Sequence, residues 1–214
     1  MRSFPIIVAL ISAAPSFAIA QDDAACTTLA VIQNADCTVR RVAVCDNFPE
    51  GWQSVAIYGP TGPISLSTFN ADGVPQSMGS GPGTPQTRLG DQPDPLELAN
   101  VFGSGIDTFE YQMERDDGSV TQISGKIRAT GETVTIDGRV LQGLLSRQTV
   151  GSGSGEAATL DISFFYDADL KLMITDSIRN TTTQEFVQHR SPVDFILPGE
   201  AGFEDYAPRF GCEG

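Results

Sequence analysis

The sequence has 214 residues, of which 40% are hydrophobic, and this is enough apolar material for one sizeable core. Its 27 acidic residues outnumber its 13 basic residues, which gives a net charge of -14. This charge argues against nucleic acid as a partner, because the phosphate backbone would be repelled. It also disfavours electrostatic docking on anionic membranes.

Residues 1–20 have the pattern of a secretory signal peptide. A short positive start is followed by an apolar stretch over residues 4–14, and a small-x-small pattern ends at Ala20 before Gln21. The apolar stretch is shorter than the roughly 18 residues that a membrane span needs. We therefore predict cleavage after Ala20 and a secreted or periplasmic protein without a transmembrane segment.

The predicted mature chain contains four cysteines, Cys26, Cys37, Cys45 and Cys212. An even number in an oxidising compartment predicts two disulfides, and no C-x-x-C pair favours a thiolate metal site. If residues 38–44 form a strand, Cys37 and Cys45 lie roughly 26 Å apart, which is too far for a disulfide. Two pairings remain open: Cys26–Cys45 with Cys37–Cys212, or Cys26–Cys37 with Cys45–Cys212.

The N-terminal part of the mature chain, residues 21–69, is predicted to be a cysteine-containing β segment. Its predicted strands are Val39–Val44, Gln53–Tyr58 and Ile64–Phe69. Residues 70–95 contain five prolines and five glycines. Because these residues interrupt helices and strand ladders, we predict a long Pro/Gly-rich loop there. A short helix is predicted over residues 96–102.

Residues 96–214 predict an antiparallel β meander of about seven strands, forming one domain with residues 21–69. Short turns join its successive strands, and such strands must be antiparallel neighbours. The Asp137-Gly138 dipeptide is typical of a tight hairpin, since both residues of that turn need positive φ. The fold class is therefore all-β with little helix: an antiparallel meander forming a curved open sheet, a half-barrel or a sandwich.

One face of this meander is apolar, as the alternation of apolar and polar residues indicates. Leu172 and Ile174 are predicted to continue the face of Phe164 and Tyr166 across the turn after residue 166. The residues predicted to line the apolar face are Phe109, Tyr111, Met113, Phe164, Tyr166, Leu172 and Ile174. Such a face must be buried against a second sheet, by curling, or around a ligand.

The segment Phe164–Asp176 places a Tyr-Asp turn between two alternating strands, with the sequence FFYDADLKLMITD. It resembles the strand-turn-strand units of periplasmic half-barrels of the lipoprotein-carrier (LolA-like) kind. The resemblance covers at most residues 107–197. It implies a curved sheet whose concave face holds acyl chains, and it assigns no individual ligand-contact residue. The cysteines and the Pro/Gly-rich passage are not part of that family's pattern.

The sequence predicts no catalytic residue, cofactor or metal. His189 is the only histidine, which excludes a multi-histidine zinc site, and neither a G-x-S-x-G elbow nor a phosphate-binding glycine motif occurs. Paired carboxylates such as Asp161 and Glu185 leave a carboxylate-based hydrolase as an alternative. Twelve Phe against one Trp and four Tyr favour an apolar surface over a sugar-binding one.

These observations predict an exported, non-enzymatic β-rich protein that binds an apolar ligand, such as a lipid, or an envelope protein through its sheet. The alternative is a structural or adaptor protein of the cell envelope that contacts a partner through residues 70–95. The hydrolase is the less favoured third alternative.

Overall fold

The computed structural model describes residues 26–80, 86–152, 157–183 and 186–212, and within these ranges the chain forms 13 strands and one helix. The first elements are β1 Cys26–Asn34, β2 Val39–Cys45, β3 Gln53–Gly59, β4 Gly62–Phe69, β5 Pro75–Gly79, β6 Thr87–Leu89 and α1 Leu98–Ser104. The remaining strands are β7 Ile106–Arg115, β8 Val120–Ile136, β9 Arg139–Ser152, β10 Ala158–Asp167, β11 Leu172–Asn180, β12 Phe186–His189 and β13 Pro192–Ile196. The predicted signal peptide lies outside the described residues.

The described strands form a single antiparallel sheet, in the order β12-β11-β10-β9-β8-β7-β6-β5-β4-β3-β2-β1-β13. Sequential neighbours pair throughout, with one exception. Strand β13 follows β12 in the chain but pairs with β1 at the other edge of the sheet. The prediction of an all-β antiparallel open sheet with little helix is confirmed.

The two edges of this sheet must lie close together in space. In a flat sheet of 13 strands, edges spaced at about 4.8 Å per strand would be roughly 58 Å apart. Only Arg190 and Ser191 connect β12 to β13, and such a link spans at most about 11 Å. The sheet therefore curls until its edges meet at residues 190–191, which we call the closing corner.

Hydrogen bonds tie the closing corner to both edges of the sheet, and one of them directly joins strands near the two edges. The guanidinium of Arg40 on β2 donates to the carbonyl of Thr175 on β11 at 2.9 Å. The Ala35 amide donates to the Ser191 carbonyl at 2.9 Å, and the Arg190 amide donates to the Asp176 carbonyl at 2.6 Å. Strands from opposite ends of the strand order are thus in direct contact.

The sequence prediction was wrong in two parts of the sheet. Residues 70–95 are not a loop throughout, because they contain β5 and β6, which join β4 to β7. Their prolines are compatible with this arrangement because both strands are short and Pro75 stands at the first position of β5. Strand β1 lies in the segment predicted to be β-rich but was not itself predicted, and it pairs with both β2 and β13.

Helix α1 lies two residues later than predicted and covers one part of the sheet. It buries Leu98 and Val101 in an apolar cluster with residues of β7 and β8. The Leu98 amide donates to Asp72 Oδ1 at 2.9 Å, and Gly105 ends the helix with a φ of 88°. Within the described ranges, no helix is long and apolar enough to cross a membrane.

Two disulfides are present, and they correspond to the first of the two pairings left open by the sequence. Cys26 and Cys45 stand opposite each other on β1 and β2 and are bonded. Cys37 is bonded to Cys212, which ties the C-terminal segment to the β1–β2 turn. Disulfides persist in oxidising compartments, so this chain is suited to the periplasm or the cell exterior.

The β8–β9 hairpin reaches across to β13. Its turn has the predicted positive φ values, 48° at Asp137 and 75° at Gly138. Asp137 Oδ2 accepts a hydrogen bond from the Phe195 amide at 3.1 Å. Next to the turn, the Arg139 guanidinium donates two hydrogen bonds to the Asp167 carboxylate, which ties this hairpin to the end of β10.

Removal of each disulfide should destabilise the fold in proportion to the length of chain that it closes. In the chain-entropy model, the Cys37–Cys212 bond, with a sequence separation of 175, contributes about 5 kcal/mol, and the Cys26–Cys45 bond, with a separation of 19, contributes about 3 kcal/mol. We expect the Cys37→Ser/Cys212→Ser variant to lose more stability in urea denaturation than Cys26→Ser/Cys45→Ser. The reverse order would contradict this entropic account.

The Arg139–Asp167 pair should be sensitive to acid. Asp167 is 2% exposed; burial would raise the pKa of its carboxyl, but hydrogen bonds from Arg139 and from the Leu170 and Asp169 amides outweigh burial and lower that pKa. A carboxyl with a lowered pKa stabilises the fold fully above about pH 5, and the stabilisation is lost as pH falls through the folded-state pKa.

We therefore expect Asp167→Asn to lower the free energy of unfolding by about 3 kcal/mol at neutral pH, because Arg139 loses its buried partner. Asp169, 90% exposed and 3.4 Å from the same guanidinium, is the matched control, and Asp169→Asn should change stability by under about 1 kcal/mol. Equal effects of the two variants in urea denaturation would show that the buried Arg139–Asp167 pair is not the source of the stabilisation. A difference in stability between the variants that stays the same down to pH 2 would also refute this assignment.

Candidate functional site

Two apolar clusters fill much of the space enclosed by the curled sheet. The first is built mainly on β7, β8, β9 and α1, and its buried members are Val74, Leu96, Leu98, Val101, Phe109, Tyr111, Met113, Ile127 and Leu144. The second is built on β1, β2, β3, β9, β11 and β13, with the buried members Ala30, Ile32, Val42, Val55, Leu141, Leu172, Ile174 and Phe195. Strand alternation turns these side chains inwards.

A cavity of about 490 Å³ lies between the two clusters. Phe109, Tyr111 and Met113 of the first cluster line it, as do Val42 and Val55 of the second. Every strand from β2 to β11 contributes to its wall. The volume and the largely apolar wall are typical of sites that bind small organic molecules.

The passage over residues 70–80 forms part of this wall. Asn70 Oδ1 accepts hydrogen bonds from the Asp72 and Val74 amides, which holds the turn between β4 and β5. Val74 is thereby buried in the first cluster. Gly73, with a φ of 75°, lies so close to Met173 that a Cβ at this position would be 2.7 Å from its Cε. The positive φ favours glycine here, and a larger side chain would also require Met173 to move.

Six of the seven predicted apolar-face residues line the cavity: Phe109, Tyr111, Met113, Phe164, Leu172 and Ile174. Tyr166 packs beside the first cluster instead, with its ring 4.8 Å from that of Phe102 on α1. The structure thus brings the predicted residues to one region. Their role as ligand contacts stays a prediction.

The predicted continuity of one face across the β10–β11 turn was wrong. Tyr166 pairs with Met173 and Phe164 with Thr175, so these four side chains share a face. Leu172 and Ile174 lie on the opposite face and join the second cluster. The reason is the turn length, since a one-residue change in register moves every side chain to the other face of a strand.

The cavity wall has a polar part that the sequence analysis missed. Arg40 and Arg190 both line the cavity. Arg40 is 6% exposed, and its Nη2 donates to the carbonyls of Thr175 at 2.9 Å and Arg190 at 3.3 Å. The alternation of β2 already indicated that Arg40 shares a face with Val42. Both faces of β2 carry apolar residues, however, so the pattern did not say which face was inward.

Two groups in the wall have strongly shifted pKa values. Burial, together with the positive charge of Arg190, lowers the pKa of Arg40 to about 10, against the opposing effects of Asp36 and Asp176. Burial raises the pKa of Tyr111 to about 12. At neutral pH the cavity therefore presents a charged guanidinium and an un-ionised phenol.

His189 and Asp161, which were considered for catalysis, lie apart from the cavity wall. His189 is exposed on the edge strand β12, and Asp161 binds Arg147 through two hydrogen bonds. Glu185 lies outside the described residues. Among the residues that are described, no group of three His, Cys, Asp or Glu side chains could hold a metal ion.

Ser146 should destabilise the ligand-free protein. Its side chain lines the cavity and is 2% exposed, and its Oγ has no hydrogen-bond partner among the described residues. A buried polar atom without a partner costs about 1–3 kcal/mol, so Ser146→Ala should raise the free energy of unfolding by about 1 kcal/mol.

Ser191→Ala is the matched control for this prediction. Ser191 Oγ donates to Asp176, so its removal should destabilise the protein by about 1 kcal/mol. Urea denaturation of both variants measures the two effects. A loss of stability in Ser146→Ala would show that the Ser146 hydroxyl is hydrogen-bonded in solution.

Comparisons with known proteins do not place this chain in a family. No family model, no curated protein and no solved structure matches it. The resemblance of Phe164–Asp176 to periplasmic half-barrels therefore stays a prediction from the sequence. Function has to be inferred from the cavity and the residues that line it.

Proposed function

We propose that this chain is an exported, non-enzymatic protein that binds a small, predominantly apolar molecule inside its curled sheet. The observation that carries the proposal is the cavity of about 490 Å³ between the two apolar clusters. Protein interiors are normally close-packed, with few voids larger than a water molecule. A cavity of this size is therefore better explained by a ligand than by core packing.

The chemistry of the wall supports binding more than catalysis. Phenyl and aliphatic side chains such as Phe109, Phe164 and Met113 line the cavity, and they offer no proton transfer or nucleophile. Burial of an apolar ligand against them is favourable by about 25 cal/mol per Å² of apolar surface removed from water. Export fits this function, since the two disulfides are suited to an oxidising compartment and residues 1–20 have the pattern of a signal peptide.

The native ligand can be sought directly in the purified protein. Organic extraction of protein prepared from its own host, followed by mass spectrometry, should recover one class of apolar molecule in near-stoichiometric amount. The same extraction from the Ser146→Phe variant should recover much less. An extract without such a molecule would count against the proposal if the protein also failed to bind added apolar probes.

A cavity-filling variant should separate binding in the cavity from binding on the surface. Ser146→Phe places an aromatic ring in the cavity and should weaken binding of the neutral fluorophore N-phenyl-1-naphthylamine at least tenfold, measured by fluorescence titration. Val140 is 63% exposed on the outside of the hairpin, so Val140→Phe adds similar apolar surface there and should leave the affinity unchanged.

Circular dichroism checks that both variants fold, and Ser146→Leu replaces Ser146→Phe if the larger side chain disrupts the sheet. Unchanged affinity in folded Ser146→Phe or Ser146→Leu would show that the probe binds elsewhere. The proposed function would then be wrong.

A further inference from the structure

The two arginines of the cavity wall indicate what kind of apolar molecule would fit, provided that the proposed function holds. Arg40 comes from β2, and Arg190 belongs to the closing corner. The guanidinium of Arg40 donates to the Arg190 carbonyl at 3.3 Å, and the positive charge of Arg190 lowers the pKa of Arg40. An apolar ligand alone would leave the buried Arg40 charge facing hydrocarbon, which is unfavourable for a buried ion.

The neighbouring carboxylates act on this pair by charge, Asp36 through a salt bridge with Arg190, and not through hydrogen bonds. Asp36 Oδ2 is 3.7 Å from Arg190 Nε, and its Oδ1 accepts from Thr38 Oγ1. Asp176 Oδ1 accepts from Ser191 Oγ. Among the described residues, Arg190 Nε is buried and has no hydrogen-bond partner. A donor remains available at the arginine pair.

Ser65 adds a hydroxyl group to the cavity wall near the arginine pair. It lies on β4, two strands from Arg40, because Arg40 pairs with Ile57 on β3 and Ile57 pairs with Ser65. The rest of the wall is mostly apolar, with Tyr111 and Met113 among its members. The cavity thus combines one cationic, hydrogen-bonding region with a larger apolar region.

We propose that the cavity binds a single-chain amphiphile with an anionic carboxylate headgroup, in the manner of a fatty acid, with the carboxylate at Arg40 and Arg190 and the chain along the apolar wall. A guanidinium presents its N–H donors in a planar fork that matches the two oxygens of a carboxylate. The carboxylate would also separate the two like charges. A neutral or cationic headgroup would neither match the guanidinium fork in this way nor separate the two positive charges.

The test compares three probes with the same twelve-carbon chain: dodecanoate, 1-dodecanol and dodecyltrimethylammonium. Each displaces N-phenyl-1-naphthylamine from the mature, disulfide-intact protein at concentrations below micelle formation. We expect dodecanoate to bind at least tenfold more tightly than the other two. Equal binding of dodecanoate and dodecanol would overturn the headgroup proposal and leave the apolar cavity intact as the proposed function. Failure of the fluorophore and of all three probes to bind would overturn both.

Variants then assign the headgroup site. Arg190→Gln should reduce the preference for dodecanoate over dodecanol about tenfold while dodecanol affinity changes less than twofold. Arg88 is 70% exposed on β6 and serves as the matched control, so Arg88→Gln should leave both affinities unchanged. The assignment of the headgroup site rests on Arg190→Gln and not on Arg40→Lys, because Arg40 also holds the closing corner together.

A spectroscopic readout separates headgroup binding from a merely structural role of Arg190. With dodecanoate labelled with ¹³C at the carboxyl carbon, the carboxyl resonance of the bound ligand should titrate at a lower pH than that of the free ligand. In Arg190→Gln this difference should shrink. A bound carboxyl that titrates at the same pH in both proteins would overturn the proposal.

Discussion

The structure depends on the connection between β12 and β13. Two residues join strands that stand at opposite edges of a 13-stranded sheet, so the sheet cannot be flat. Curling brings strands from distant parts of the strand order together, and two apolar clusters form where they pack. The Cys37–Cys212 disulfide reinforces the same closure by binding the C-terminal segment to the β1–β2 turn. The enclosed interior is larger than the side chains fill, and the cavity is the result.

The closing corner also explains why the interior contains charge. Where two sheet edges meet without forming a regular ladder, backbone carbonyls need other donors. Arg40 supplies them by donating to the carbonyls of Thr175 and Arg190. Its structural role and its proposed role in headgroup binding are therefore compatible, since a guanidinium has five N–H donors. The proposed headgroup binding would use donors beyond those that hold the corner.

The sequence predicted the local features and missed those that depend on distant contacts. Alternation around Phe109 and Met113 and the Asp137-Gly138 turn are local, and both were predicted correctly. The pairing of β13 with β1 depends on the curl of the whole sheet, so no local pattern could indicate it. The face of Leu172 depends on the exact length of one turn, and the inward face of Arg40 on which side of β2 is enclosed. The part of the apolar wall on β7, β10 and β11 was therefore predictable in part, whereas its N-terminal part and its polar part were not.

A protein with a net charge of -14 is an unusual carrier for an anion, and the geometry resolves this difficulty. Exposed charges are screened beyond about 8 Å at physiological ionic strength, so the acidic surface acts weakly on a ligand that is already inside. The buried Arg40 and the partly buried Arg190 would act over shorter distances and in a medium of lower polarity, where attraction to an anion is much stronger. The surface charge would slow the approach of anions, whereas the closing corner would select among the ligands that enter. Overall charge and the proposed headgroup selectivity would thus be set by different parts of the same fold.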